Sequence, residues 1–212
     1  MKITILVDDK QSWFVKYAEE LEKNLKYENS VSLVFDSENV EDGDICFLLS
    51  CSKIVSEIFL KKHKHNIVVH ASDLPTGKGF SPLSYQIMEG KNEVVLTLFE
   101  AVKELDAGPF YMKEKLTFDG TELLDELRQK MAIKINKMCC YFVEHNDELE
   151  PKKQIGEETI YKRLTKNDNA LDINKSIKEQ FNHLRIADNE RYPLWFDYLG
   201  VKYIIKIYKE EK

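Results

Sequence analysis

Glycine and proline are scarce in this 212-residue chain, at eight and five residues. That scarcity excludes collagen-like and low-complexity architectures. Long hydrophobic runs are also missing. None approaches the about 18 residues a membrane-spanning helix needs, so no membrane partner is expected. Cysteine is limited to Cys46, Cys51, Cys139 and Cys140, without a C-x-x-C pair or a histidine spaced to complete a zinc site. No metal is expected, and the thiols read as small buried hydrophobes in a reducing compartment. Positive charge is in deficit: 31 basic against 37 acidic residues leave a net charge of −6. That argues against nucleic acid held by its phosphate backbone. Phosphate-loop glycine motifs are absent too. Thr76–Pro82 holds two glycines but follows Pro75 and opens no clear helix. Met1–Val7 is apolar yet runs straight into Asp8-Asp9-Lys10, unlike a signal peptide, so a cytoplasmic location is expected.

What is present is 43% hydrophobic residues in an alternating order. The length suits one domain, or one domain with a small appendage, and buries enough surface to need no covalent staple. Lys2–Val7, Val31–Phe35, Ile45–Leu49 and Ile67–Val69 are nearly continuous apolar strands. Phe14, Tyr17, Ala18, Leu21 and Leu25 recur at helical spacing, and Ile54, Ile58 and Leu60 suggest a helix up to about Lys62. This order predicts an α/β fold: a Rossmann-like, mostly parallel sheet with helices on both faces.

Ala71–Gly90 then holds five of the thirteen Gly and Pro residues, a long loop of the functional kind. Glu93–Phe99 and Pro109–Phe118 read as strands joined through Asp106-Ala107-Gly108-Pro109. Leu123, Leu127, Met131, Ile135, Met138 and Phe142 line a long helix starting near Thr121. Residues 1–145 form the expected catalytic domain, and 146–212 a small C-terminal α+β subdomain. The subdomain carries a strand near Glu158–Leu164, a helix capped by Asp172 with Ile173, Ile177, Phe181 and Leu184, and a strand over Val201–Tyr208. It either leans on the first domain or serves as a dimerisation element, giving a homodimer.

His70 ends a buried parallel strand, where open α/β sheets bind ligands. Asp106 follows another strand on the same edge, and a carboxylate there can orient an imidazole and stabilise its cation. Asp8 and Asp9 read either as a solvated loop and helix cap or, for Asp9 with Gln11, Ser12 and Trp13, as substrate contacts.

Val69-His70-Ala71-Ser72-Asp73-Leu74-Pro75 with Gly79 and Pro82, then Asp106, Gly108 and Pro109, resembles the formyltransferases that use 10-formyltetrahydrofolate. Their pattern is Asn-x-His-x-Ser-x-Leu-Pro, a glycine-containing loop and a distant Asp-x-Gly-Pro; the likeness covers roughly residues 1–143. Tyr161-Lys162-Arg163-Leu164-Thr165 with Asp168 and Asp172, Leu184-Arg185-Ile186-Ala187 and Tyr192-Pro193 are similar to the region after the catalytic core in bacterial sugar N-formyltransferases.

The resemblance implies transfer of a formyl group from 10-formyltetrahydrofolate, the co-substrate, to the primary amine of a nucleotide-linked amino sugar. It implies His70, Asp106 and Ser72 as catalytic residues, and Leu49, Ser50, Cys51, Leu74, Pro75, Gly77, Lys78 and Gly79 as the folate border. Val68 departs from the pattern, standing where the family has Asn. Asn66 lies two residues further back, about 6.5 Å along a strand. Either Ser72 or protonated His70 replaces the lost oxyanion donor, or the chain is a slow or inactive folate- or nucleotide-binding relative. A third reading is hydrolysis of 10-formyltetrahydrofolate.

Overall fold

The structure, a computed structural model, describes residues 1–210. Along the chain run β1 (Lys2–Leu6), α1 (Val15–Leu25), β2 (Ser30–Val34), β3 (Gly43–Leu48), α2 (Glu57–Leu60) and β4 (His63–His70). There follow β5 (Lys78–Gly79), α3 (Pro82–Met88), β6 (Glu93–Glu100), β7 (Phe110–Thr117) and α4 (Leu124–His145). The tail holds β8 (Ile160–Tyr161), α5 (Phe181–Arg185), β9 (Leu194–Tyr198) and β10 (Val201–Ile205). Six strands form the main sheet in the order β2-β1-β3-β4-β6-β7. The first four are parallel, and β6 and β7 run antiparallel to their neighbours.

The continuous apolar character of the parallel strands has a direct cause. Side chains alternate between faces, and both faces are covered. Ile3, Ile5, Ile45, Phe47 and Ile67 point to one side, where they meet Tyr17 and Leu21 of α1 and Leu127 and Phe142 of α4. Leu6, Cys46, Leu48 and Val68 point to the other, against Val40 and Phe59. The expected mostly parallel sheet with helices on both faces is what the chain forms. None of the described helices is long and apolar enough to cross a membrane.

Several local expectations differ. The helix expected up to Lys62 is one turn, capped by Ser56, whose Oγ accepts from Phe59 N at 3.2 Å. Ile54 and Ile58 lie exposed in solvent, so nothing extends it. β4 is longer than Ile67–Val69, because Gly43 and Ile45 of β3 continue the ladder opposite His63 and His65. The loop after His70 contains α3, with Pro82 in its first turn. The helix expected from Asp172 is only α5; Asp172 Oδ1 instead accepts from Asn174 N in a turn, and Ile173 and Ile177 are exposed. The expected strand at 158–164 is two residues long. β9 was not expected; it pairs with β10 around Leu199 and Gly200, whose φ values of 52° and 78° suit a two-residue hairpin turn.

The tail is fastened by a buried ion pair. Arg185 is fully buried and its Nη2 lies 3.3 Å from Glu122 Oε2, while its Nε donates to Glu122 O at 3.1 Å. Nη1 donates to Asn92 Oδ1 and Asn182 Oδ1. Glu122 also receives Lys130 Nζ and the N–H groups of Asp119 and Gly120. Burial opposes its charge, but these donors outweigh it and hold the carboxyl at about 2, down from 4.5. A depressed carboxyl stabilises the fold above its unfolded pKa and loses that contribution as pH falls.

Removing one member of a buried pair strands the other, at a typical cost of about 3–5 kcal/mol. Arg185→Met is expected to lower unfolding free energy by about 3 kcal/mol at neutral pH in urea titrations. Wild-type stability is expected to fall as pH drops from 4.5 towards 2. Glu122→Gln should lack that part of the pH dependence.

Candidate functional site

The carboxyl ends of β1, β3 and β4 open onto a cavity of about 620 Å³, within the range of small-molecule sites. One part of its wall is apolar, with Leu48, Val55, Val68, Phe99 and Ala101. Another is polar and charged, with Asp9, Ser12, Arg128, Arg163, Asp188 and Arg191. His70 and Asp106 both line it.

His70 is the last residue of β4, registered opposite Thr97 of β6 and only 8% exposed. Its Nε2 lies 2.8 Å from the Gly77 carbonyl oxygen. A carbonyl only accepts, so Nε2 carries a proton, and in the neutral ring the lone pair is on Nδ1. Nδ1 stands 3.8 Å from Asp106 Oδ2. That is too long for a hydrogen bond but close enough for attraction once Nδ1 gains a proton. The same Asp106 oxygen accepts from Gly79 N at 2.8 Å. The pair can therefore take up one proton at a fixed nitrogen and stabilise the resulting charge.

Asp106 has φ of 48°, left-handed geometry that Asp tolerates better than most residues. Ser50 and Ser81 share it, at 55° and 49°, and line the same cavity. Backbone strain of this kind gathers at functional sites. Gln154 Nε2 holds the Asp106 turn by donating to the carbonyls of Asp106 and Gly108. Gly108 has no alternative there, since a Cβ would fall 1.7 Å from Glu100 O. Asp8 fixes the loop after β3, its Oδ2 accepting from Ser52 N, Ser52 Oγ and Lys53 N.

Of the residues singled out in the sequence, Asp9, Ser12, Trp13, Ser50, Cys51, His70, Gly79 and Asp106 meet at this cavity. Gln11 is outside the wall and accepts from Arg191 Nη2 at 3.3 Å. Leu49 faces the opposite core, because strand alternation gives the cavity Leu48 instead. Ser72 is 2% exposed, its Oγ is buried without a partner, and it does not line the cavity. Leu74, Pro75, Gly77 and Lys78 are buried and do not line it, and Lys78 Nζ is paired with Glu158 at 2.6 Å. Asn66 does not substitute for an amide at position 68. It is 3% exposed, and its Nδ2 donates to Leu60 O at 2.8 Å. Cys51 Sγ donates to Leu6 O, and burial, followed by the charge of Asp8, pushes the thiol up to about 12. It is no nucleophile at neutral pH.

Arg128, Asp188, Arg191 and the Gly77 carbonyl escaped the sequence reading, and Arg163 entered it only within the tail resemblance. Arg163 lies over the Phe80 ring at 4.3 Å and donates to Ser52 O at 3.4 Å. Arg128 pairs with Asp188 at 3.1 Å, and Arg191 with Asp9 at 3.7 Å. These contacts join the tail to α4 and to loops 60 or more residues away in the chain, and no local signal marks them.

A family model described as formyl transferase matches residues 18–140, more than half of the chain. A methionyl-tRNA formyltransferase of Sulfurihydrogenibium sp. (strain YO3AOP1) is 30% identical over 146 residues, 67% of this chain and 47% of that protein. The chain thus spans about half the length of the curated relatives it matches. Among solved structures, methionyl-tRNA formyltransferase from Clostridium thermocellum superposes with a TM-score of 0.82 at 19% identity, covering 95% of this chain and 90% of that one. A 4-N formyltransferase from Francisella tularensis gives 0.76 at 15% identity, covering 100% and 98%. HypX from Aquifex aeolicus in complex with tetrahydrofolic acid gives 0.77 at 16% identity, covering 95% and 36%. These structures share the fold, and the family match spans both His70 and Asp106: the chain belongs to the formyl transferase family.

Proposed function

We propose that this chain transfers the formyl group of 10-formyltetrahydrofolate to the primary amine of a nucleotide-linked amino sugar. The observation that carries the reading is the His70–Asp106 pair, with one tautomer set by Gly77, on the wall of a cavity large enough for a small co-substrate. The neutral amine attacks the formyl carbon and forms a tetrahedral intermediate with an anionic oxygen. The new C–N bond forms as the carbonyl π bond opens. His70 Nδ1 takes the proton that the attacking nitrogen must lose. The imidazolium beside Asp106 then gives it to the departing folate nitrogen, and that C–N bond breaks. The formamide and tetrahydrofolate leave, and the ring returns to neutral. Proton management of this kind is typically worth about 10²–10⁴ in rate.

The apolar wall of Leu48, Val68 and Phe99 suits a flat heterocycle, and a solved relative in fold binds tetrahydrofolic acid. The guanidinium groups of Arg128, Arg163 and Arg191 at the polar wall suit the phosphates of a nucleotide sugar. The net charge of −6 weighs against a transfer RNA as acceptor, although the sequence relatives act on methionyl-tRNA by name.

A second reading, folate binding with little or no transfer, draws support from Val68. The cavity wall beside His70 carries a side chain without a donor there. An assay that mixes the protein with 10-formyltetrahydrofolate, with and without nucleotide-linked amino sugars, separates the possibilities. Formylated sugar supports transfer, formate released without acceptor points to hydrolysis, and folate binding without product supports the second reading. His70→Ala is expected to reduce turnover at least a hundredfold; near-normal turnover would remove His70 from the mechanism. Val68→Asn adds an amide on the cavity side of β4 and should raise kcat at least tenfold, since one oxyanion donor is commonly worth about 10²–10³.

A further inference from the structure

The loop behind His70 is held from outside by a strip of the tail. Gly77 and Gly79 present one carbonyl to His70 Nε2 and one N–H to Asp106 Oδ2, each at 2.8 Å. The loop therefore sets both members of the pair. Its remaining polar groups turn the other way. Gly77 N donates to Thr159 Oγ1 at 2.8 Å, Lys78 N to Thr159 O at 2.9 Å, and Phe80 N to Tyr161 O at 3.1 Å.

The peptide unit between Gly77 and Lys78 is the centre of this arrangement. Its C=O bonds His70 while its N–H bonds the Thr159 carbonyl. The preceding peptide unit is held by the Thr159 hydroxyl. One residue thus grips two successive peptide planes, and the second carries the oxygen that accepts from Nε2–H. Close approach requires glycine: Gly77 has φ of 75°, and at Gly79, with φ of 94°, a Cβ would lie 2.4 Å from Tyr161 O. The strip is itself anchored, because the Tyr161 ring stacks on Tyr85 at 4.5 Å and its hydroxyl donates to Glu89 at 3.1 Å.

We propose that Thr159 is a positioning residue for the His70–Asp106 pair: its hydroxyl holds the Thr76–Gly77 peptide, which fixes the Gly77–Lys78 unit that follows it, and so keeps His70 in the Nε2–H tautomer. Thr159 lies beyond residues 18–140, the stretch matched by the family model. Its effect on turnover rests on the formyl-transfer reading; its effect on the imidazole does not.

Thr159→Val keeps the shape and the backbone bonds and removes only the oxygen that Gly77 N donates to. Thr159→Ser keeps the oxygen. The experiment records the His70 ring nitrogens by ¹⁵N NMR across pH, alongside kcat, KM and Tm, in the full chain. The wild type should show a single neutral tautomer, protonated at Nε2. Thr159→Val should show a mixture of tautomers, kcat at least tenfold lower, KM within twofold and Tm nearly unchanged, and Thr159→Ser should return to wild type. The proposal is overturned by an unchanged His70 spectrum in Thr159→Val, by unchanged kcat in an active protein, or by Thr159→Ser as impaired as Thr159→Val. Should the wild type transfer no formyl group, the functional reading fails and the spectra alone decide the role of Thr159.

Discussion

A guanidinium without solvent contact decides where the last third of the chain lies. Arg185 reaches Glu122, Asn92 and Asn182 at once, and each contact uses a group that would otherwise be costly to bury. Such a pair gains little over a well-packed apolar substitute, but it tolerates few alternative dockings. The consequence is positional. Ile186, Asp188, Arg191 and Tyr192 follow immediately and become cavity wall. A tail with few strands and short helices thereby forms a fixed face of the site.

The sheet supplies the opposite face by simple alternation. On β4 the side chains of Val68 and His70 share one side, and both reach the cavity, while Ile67 goes to the main core. At the end of β3 the same rule gives Leu48 to the cavity and the next residue, Leu49, to the core. The site is therefore a junction: rigid strand ends place the imidazole, a strained turn places the carboxylate, and the tail closes the side that the sheet leaves open. The three non-glycine residues with left-handed backbone at this junction, Ser50, Ser81 and Asp106, lie where β3, the α3 entry and the turn after β6 meet.

Much of this was legible from residue order. Continuous apolar runs marked strands covered on both faces, and His70 at a strand end with Asp106 after a later strand marked the pair. Face assignment was less legible, because a run such as Phe47-Leu48-Leu49 does not show which side holds solvent or ligand. The tail was least legible. Ile173 and Ile177 mimic helical spacing but have no surface to pack against, while β9 carries no strong alternation and forms because β10 lies beside it. Pro75, Gly77 and Lys78 are buried beside residues 156–161, about 80 positions away, and loop composition cannot foretell it.

Val68 forces a comparison of magnitudes. A missing oxyanion donor removes about 10²–10³ in rate. Proton transfer through an oriented imidazole contributes about 10²–10⁴. Holding two reactants in attacking geometry is worth more than either, with effective molarities of about 10⁵–10⁸ M. The cavity, the fixed tautomer and the nearby carboxylate all survive the substitution. On these numbers, the proposed transfer would be slowed by valine at position 68 and not abolished. What the site then depends on most is orientation, which loop, strand end and tail maintain together.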